Sequence, residues 1–153
     1  MNKKFGMFLK LDLKKTYDRV NCTFLRLVLI HFGLNWKVVQ WIMGCVNSEA
    51  FYILINGSPS DFFKASRGLR QGCPLSPLPF LLVVDCFNRM IERVKLDGKF
   101  QVFKVFVGNM ITHLLFVNDI IILVSGIAEE WFFFKRILSV FCKASGLEVN
   151  VKK

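Results

Sequence analysis

Two short apolar runs that meet at a polar pair constrain the fold of this chain more than any other stretch. Residues 113–124 read His-Leu-Leu-Phe-Val-Asn-Asp-Ile-Ile-Ile-Leu-Val, with Asn118 and Asp119 between the runs. Short runs rich in Ile, Leu, Val and Phe are typical of buried strands, and Asn and Asp tolerate a tight turn. We therefore predict a β-hairpin with this pair at its tip. Because a buried carboxylate is costly without a partner, Asp119 either makes the turn or belongs to a site.

A second carboxylate lies among apolar residues near the beginning of the chain. Residues 5–13 form an apolar run interrupted by Lys10 and Asp12, which predicts a strand with Asp12 near its end. Two carboxylates at the ends of neighbouring core strands can bind Mg²⁺, which prefers oxygen ligands. Spacing alone does not prove that Asp12 and Asp119 meet. A helix cap, or an ion pair with a nearby lysine, remains an alternative for Asp12.

A loop rich in glycine and arginine is the second informative stretch. Residues 66–77 read Ser-Arg-Gly-Leu-Arg-Gln-Gly-Cys-Pro-Leu-Ser-Pro. Such a loop can bring backbone N–H groups and cations close to an anion. Arg67 and Arg70 can hold phosphates next to a two-metal site for phosphoryl transfer, although Arg70 is equally compatible with a plain surface position.

The remaining pattern indicates an α+β fold. Asn21 and Thr23 are both candidate N-caps of the first long helix, and Asn56-Gly57 is a turn signal. Asp85 is either structural, which we favour, or lines a site. Antiparallel strands with interspersed helices predict a sheet covered by helices on one face. The predicted helices span residues 24–32, 36–46, 76–94 and 131–142, and the further strands span 51–55, 61–65, 100–107 and 147–151.

Composition narrows the classes of function. The 153 residues are enough for one domain, and the net charge of +10 favours nucleic acid or a membrane surface as partner. Five cysteines without a C-x-x-C pair indicate free thiols in a reducing compartment, so we expect an intracellular protein, cytoplasmic or nuclear and not secreted. A membrane span over Met110–Ala128 is disfavoured, because an Asp near the bilayer centre costs about 2.5–3.5 kcal/mol.

Four motifs together resemble the reverse transcriptase of LINE-type (non-LTR) retrotransposons, especially those of plants. Residues 10–20 (KLDLKKTYDRV) are similar to the first palm motif of the family, and residues 67–77 (RGLRQGCPLSP) are similar to its RGLRQGDPLSP block. Residues 116–119 stand where the family has Phe-Ala-Asp-Asp, and residues 145–150 with Lys153 match the block that closes the palm. The motifs occur in the family's order and cover essentially the whole chain.

The resemblance implies a polymerase palm over residues 1–153 that transfers nucleotides with two metal ions. It makes Asp12 and Asp119 metal ligands for Mg²⁺, with Mn²⁺ as a possible substitute. It implies an RNA template, a DNA primer and a deoxynucleoside triphosphate as partners, and no membrane. Tyr17 would stack under the sugar of the incoming nucleotide and screen its 2′ position, where a plain core role is the alternative. The further residues it places near nucleotide and template are Arg70, Gln71, Gly72 and Lys153.

Several residues depart from the family pattern. Asn118 replaces the first of the paired aspartates, which removes one charge from the expected metal site. Cys73 replaces an Asp, Val117 a small Ala, and Lys14 a common Glu, while Pro79 stands where an apolar helix former is usual. We therefore expect impaired catalysis, and we expect the family's fingers and thumb to lie outside these residues. A non-catalytic nucleic-acid-binding protein, or a co-opted interaction protein, is the alternative.

Overall fold

The computed structural model describes residues 7–48, 50–99, 103–106, 109–116, 118–124 and 126–150. The helices are α1 (Thr16–Arg19), α2 (Cys22–His31), α3 (Trp36–Asn47), α4 (Pro77–Leu96) and α5 (Ala128–Ser145). The strands are β1 (Met7–Lys14), β2 (Ala50–Phe51), β3 (Leu54–Ile55), β4 (Ser58–Pro59), β5 (Phe63–Lys64), β6 (Phe103–Phe106), β7 (Asn109–Ile111), β8 (His113–Phe116), β9 (Asp119–Val124) and β10 (Glu148–Val149).

A four-stranded antiparallel sheet in the order β10-β1-β9-β8 is the centre of the fold. Side chains alternate between its faces. One face carries Leu13, Ile120 and Ile122, which are buried in the core. The opposite face carries Phe8 and Phe116, which are mostly exposed. The sheet is therefore covered by helices on one face and open on the other, as predicted from the sequence.

Aromatic packing joins the two long helices that cover the sheet. Phe80 and Phe87 of α4 and Phe134 and Phe141 of α5 are fully buried. The ring of Phe87 lies 4.9 Å from that of Phe141 and 6.4 Å from that of Phe134, measured between centroids. Aromatic pairs of this kind contribute about 0.5–1.5 kcal/mol each beyond the burial of their area. These contacts fix α4 and α5 as one layer on the core side of the sheet.

The predicted helices are all present, with ends that differ by a few residues. Asn21 caps α2 because its Oδ1 accepts from the N–H groups of Thr23 and Phe24, so Asn21 and not Thr23 is the cap. The polar connection after β1 contains the single helical turn α1. Pro79 lies in the first turn of α4, where N–H groups lack partners within the helix. In the described residues no helix is both long and apolar enough to cross a bilayer.

The strand predicted over residues 51–55 was wrong, because two separate ladders replace it. Asn56 and Gly57 both have positive φ, at 51° and 85°, as a two-residue hairpin turn requires. The turn joins β3 to β4, while β2 pairs with β5 further out. Between the ladders, Ser60 binds the backbone of Ile53 through both its own N–H and its hydroxyl. Residues 52–55 are consequently exposed.

The segment between α1 and α2 crosses the end of α5 at very short range. The N–H of Asn21 donates to the carbonyl of Ser145 at 2.8 Å. Gly146 has φ +80°, and a Cβ there would lie 2.5 Å from the carbonyl oxygen of Arg19. Glycine is therefore required at this position both by the backbone conformation and by the approach of a second backbone.

Replacing Gly146 with Ala should lower the free energy of unfolding by about 2–4 kcal/mol, since strain at positive φ and the backbone clash add. Gly33→Ala is the matched control, because Gly33 has φ +79° but nothing within 4 Å of the added Cβ. The control should cost about 1 kcal/mol, which is the conformational part alone. Urea unfolding followed by circular dichroism measures both variants. Equal losses of unfolding free energy in the two variants would contradict the close approach of the Arg19 carbonyl to Gly146.

A polar network joins α4 to the edge strand β8. Asp85 accepts from the side chains of Asn88 at 2.9 Å and Arg89 at 2.7 Å, and the bond to Arg89 lowers the pKa of Asp85. The Oδ1 of Asn88 lies 2.8 Å from Nε2 of His113, whose Nδ1 lies 2.9 Å from the hydroxyl of Thr112. These contacts accord with the structural role favoured for Asp85.

Burial lowers the pKa of His113 below its ordinary value of 6.5. In the unfolded chain His113 takes up a proton at its ordinary pKa, whereas in the folded chain it stays neutral to lower pH. This contribution to stability is therefore complete above pH 6.5 and is lost as the pH falls through the folded pKa. We expect His113→Gln to flatten the decline in unfolding free energy between about pH 7.5 and 5.5. His31→Gln, which changes the other histidine, is the matched control. Urea titrations across this range test the difference.

Candidate active site

The register of β1 and β9 places the two predicted carboxylates directly opposite each other. Asp12 is the ladder partner of Asp119, so both side chains leave the same, open face of the sheet. Asp119 is the first residue of β9 and also pairs with Phe116. Only Asn118 of the predicted tip pair lies in the turn, so placing Asp119 at the tip was wrong. Asp119 is paired in the sheet on both sides, with Asp12 of β1 and with Phe116 of β8.

Two amide side chains donate to the carboxylate of Asp12. The Nδ2 of Asn118 donates to one oxygen at 2.8 Å, and the Nδ2 of Asn150 donates to the other at 3.1 Å. The backbone is joined at the same points, because Leu13 N–H donates to the carbonyl of Asn118 and Asn150 N–H donates to the carbonyl of Asp12, each at 2.8 Å. The hairpin turn and the strand end after β10 are therefore fastened to Asp12.

A lysine ammonium lies against the other carboxylate. The Nζ of Lys10 is 2.9 Å from Oδ2 of Asp119, and this hydrogen bond and charge raise the pKa of Lys10, with a smaller contribution from Asp12. Lys10 lies two residues before Asp12 on β1, so its side chain shares the open face. Sequence reasoning missed Lys10 and Asn150 as members of the site. The two-residue spacing from Asp12 was the available signal for Lys10.

The glycine- and arginine-containing loop is bound to the segment that follows β1. Gly68 N–H donates to the carbonyl of Val20 at 2.8 Å, and Leu69 N–H donates to the carbonyl of Tyr17 at 2.7 Å. Gly68 has φ +97°, and a Cβ there would lie 2.8 Å from the carbonyl oxygen of Asp18. The loop therefore requires glycine at this contact and depends on the strand that carries Asp12.

Three predicted nucleotide-binding residues line one cleft. The ring of Tyr17 stacks on that of Phe80 with centroids 4.7 Å apart, which holds the tyrosine in place. Gln71 donates to the carboxylate of Asp18 at 2.9 Å, which ties the loop to α1. The walls of the cleft are formed by Tyr17, Gln71, Gly72, Cys73, Pro74, Ser76 and Pro77.

The fourth predicted residue, Arg70, lies beside this cleft with Arg67. Both side chains are exposed and line a neighbouring depression together with Asp18 and Gln71. In the part of the chain that the structure describes, neither guanidinium has a carboxylate within salt-bridge distance. Two unpaired cations beside a cleft favour an anionic ligand. Lys153 and Val117 lie outside the described residues.

The donor set fits a magnesium ion held by few protein ligands. Within the described ranges no group of three or more His, Cys, Asp and Glu residues is suited to hold a metal. Mg²⁺, however, commonly uses one or two carboxylates and completes its coordination with water and substrate phosphates. Asp12 and Asp119 supply two carboxylates. Asn118 presents N–H groups, not its oxygen, to Asp12, so it adds neither charge nor a metal ligand in this arrangement.

Comparison with known proteins identifies the family to which the chain belongs. Residues 1–153 match the family described as reverse transcriptase (RNA-dependent DNA polymerase). The chain belongs to the reverse transcriptase family. The resemblance predicted from the four motifs is thereby confirmed, and reverse transcriptases are in general dependent on divalent metal ions.

Relatives of this reverse transcriptase chain include proteins of retrotransposable elements. It is 40% identical over 72 residues to an uncharacterised mitochondrial protein of Arabidopsis thaliana, covering 45% of this chain and 59% of that protein. It is 27% identical over 113 residues to the Pol polyprotein of a type-2 retrotransposable element of Drosophila melanogaster, covering 73% of this chain and 10% of the polyprotein. It matches 56% of its own length to a Xenopus laevis transposon protein at 30% identity, covering 7% of that protein.

Solved telomerases share the fold. The telomerase of Candida albicans, in complex with a fragment of telomeric RNA, superposes with a TM-score of 0.71 at 16% identity. The match covers 97% of this chain and 27% of the telomerase. An apo telomerase of Candida tropicalis gives 0.66 at 16% identity, covering 99% of this chain and 32% of that one. The predicted α+β fold with an antiparallel sheet is thus confirmed as a polymerase fold, and the chain spans about a quarter to a third of these proteins.

Asn118→Asp should destabilise the chain in the absence of divalent ions. The change replaces a donor to Asp12 with a third carboxylate, so unfolding free energy should fall by about 1–2 kcal/mol. Millimolar Mg²⁺ should restore part of the loss by binding the folded state. Asn56→Asp is the control, because it adds the same charge in the exposed β3–β4 turn. Thermal unfolding with and without Mg²⁺ measures both, and an Asn118→Asp variant as stable as the control without Mg²⁺ would refute the expectation.

Proposed function

We propose that this chain forms the palm of an RNA-directed DNA polymerase of the non-LTR retrotransposon class, and that this copy binds nucleic acid with impaired catalysis. The placement of Asp12 opposite Asp119, with the loop of residues 67–77 bound to Tyr17 and Val20 in the segment that directly follows β1, is the observation that carries the proposal. This arrangement puts an acidic site and a cleft flanked by cations on one scaffold.

Asp12 and Asp119 are the residues that would hold Mg²⁺, with Mn²⁺ as a substitute. When bound, such ions stabilise the attacking and leaving oxygens of nucleotidyl transfer. The chain's own contribution is orientation: the pairing of Asp119 with strands on both sides and the hydrogen bond from the Asn150 amide to Asp12 hold the carboxylates in place. Lys153 belongs to the block that closes the palm, and its proposed role near nucleotide and template rests on the motif resemblance alone.

The cleft beside α1 would receive the incoming deoxynucleoside triphosphate. Tyr17, stacked on Phe80, offers a fixed aromatic wall to the sugar, and Gln71 and Gly72 line the same cleft. Arg67 and Arg70 would bind phosphates of the nucleotide, the RNA template or the DNA primer, because both are exposed and unpaired in the described structure. The telomerase of the same fold was solved with an RNA fragment, which supports an RNA partner.

Two features support impaired catalysis. Asn118 donates to Asp12 where the family has a carboxylate, so the acidic site carries one negative charge fewer. Cys73 lines the nucleotide cleft in place of an Asp. A nucleic-acid-binding protein without polymerase activity is therefore the second candidate, since Arg67 and Arg70 remain available while both acidic residues are engaged.

Primer extension on an RNA template, with Mg²⁺ or Mn²⁺, combined with a salt titration of RNA binding, tests both candidates. We expect the unmodified chain to bind single-stranded RNA weakly, with affinity falling steeply as salt rises, and to extend a primer poorly. Arg70→Ala should weaken binding and reduce the salt slope by about 0.7, which corresponds to one phosphate contact. Arg136→Ala, which removes an exposed arginine from α5, is the control and should leave the slope unchanged.

Asn118→Asp restores the family's carboxylate and should increase extension over the unmodified chain. If Asn118→Asp extends no primer while RNA binding persists, the other substitutions suffice to abolish catalysis and the binding function stands. Efficient extension by the unmodified chain would refute the impairment. Absence of both RNA binding and primer extension would refute both candidates, and a salt slope that Arg70→Ala leaves unchanged would refute the phosphate contact of Arg70.

A further inference from the structure

The carboxylate pair already has a cation from its own chain. Lys10 is the ladder partner of Ile121, two residues along β9 from Asp119. Diagonal neighbours of this kind lie within reach of a long side chain, and the ammonium reaches Asp119 at 2.9 Å. Lys10 also lies two residues before Asp12 on the same face of β1, so the ammonium is placed beside both carboxylates.

Other polar groups of the chain contact the same carboxylates. Both oxygens of Asp12 accept from amide groups, those of Asn118 and Asn150, and Oδ2 of Asp119 accepts from Lys10. The ammonium of Lys10 offsets the negative charge of Asp119. A divalent ion shared by Asp12 and Asp119 would therefore meet a positive charge already in contact with one of its ligands.

We propose that Lys10 is a resident counter-cation of the acidic site, and that it competes with divalent metal ions for Asp119. This inference rests on the proposed function in one respect, which is that Asp12 and Asp119 form the metal site. Binding of the ion requires the ammonium to release Asp119 and swing toward solvent. The side chain of Lys10 is 57% exposed, so the release needs no change in the sheet. Lys10 thereby sets the concentration of metal at which the site fills.

The expected effect is moderate, because an exposed ion pair is weak and screened by salt. Replacing Lys10 with Met removes the competing charge while keeping a flexible side chain of similar length. We expect the affinity for Mn²⁺ to rise about three- to tenfold at low ionic strength. The gain should shrink as salt increases, since salt also weakens the pair that is lost.

Titration with MnCl₂, with free Mn²⁺ counted by electron paramagnetic resonance, measures the affinity without requiring activity. Lys10→Arg keeps the charge and should bind within about twofold of the unmodified chain. Lys143→Met removes an exposed lysine from α5 and controls for the change in net charge. In a chain that already carries Asp119→Asn, adding Lys10→Met should not raise the affinity for Mn²⁺. The ion pair is then absent both before and after the change of Lys10. Circular dichroism confirms that each variant is folded.

The outcomes separate the two proposals. Tighter Mn²⁺ binding by Lys10→Met, without a similar gain in Lys10→Arg or Lys143→Met, supports the competition. If Lys10→Met binds as the unmodified chain does while Asp119→Asn weakens binding, the metal site stands and the competition is overturned. An equal gain in Mn²⁺ affinity in Lys143→Met would show that the gain comes from net charge, and the competition would again be overturned. If Mn²⁺ binding is the same in every variant, including Asp119→Asn, both the metal site and the competition are overturned.

Discussion

The opposition of Asp12 and Asp119 across the β1–β9 ladder is the constraint on which the rest of the site depends. Like charges directly opposite in a sheet are destabilising, so the strands cannot adopt this register without compensation. The compensation comes from three separate parts of the chain: the lysine on β1, the turn amide of Asn118 and Asn150 after β10. The polar residues around the two aspartates are therefore part of what holds the sheet in register as well as part of the site.

The first palm motif is the structural hub of the molecule because the other motifs bind to its backbone. The turn before β9 and the end of β10 bind near Asp12, the arginine-containing loop binds after it, and the end of α5 binds at Asn21. At two of these attachments, those of Gly68 and Gly146, a Cβ atom would clash with the backbone of the first palm motif. Residues far apart in sequence thus converge through main-chain hydrogen bonds, and side chains only complete the arrangement.

Sequence reasoning succeeded where the signal is local or carried by a motif. Helix ends followed from caps such as Asn21, and the convergence of Asp12 with Asp119 followed from the family resemblance. It failed where pairing depends on register, which hydrophobic pattern alone does not specify. The reach of Lys10 to Asp119 is a diagonal contact that only the observed ladder reveals. The short strands around Asn56 also could not be divided correctly, because the pairing of Ser60 with Ile53 interrupts them.

The open face of the sheet and the exposed segment 52–55 have a consequence for the colloidal behaviour of the chain. Apolar side chains there, among them Phe8 and Phe116, face solvent, and large exposed apolar patches promote self-association. The net charge of +10 opposes that association by mutual repulsion between copies. Salt shortens the range of this repulsion. Ionic strength high enough to disrupt the proposed RNA binding therefore also removes the electrostatic barrier to aggregation. Under those conditions the chain most needs a detergent or another surface that covers its apolar side chains.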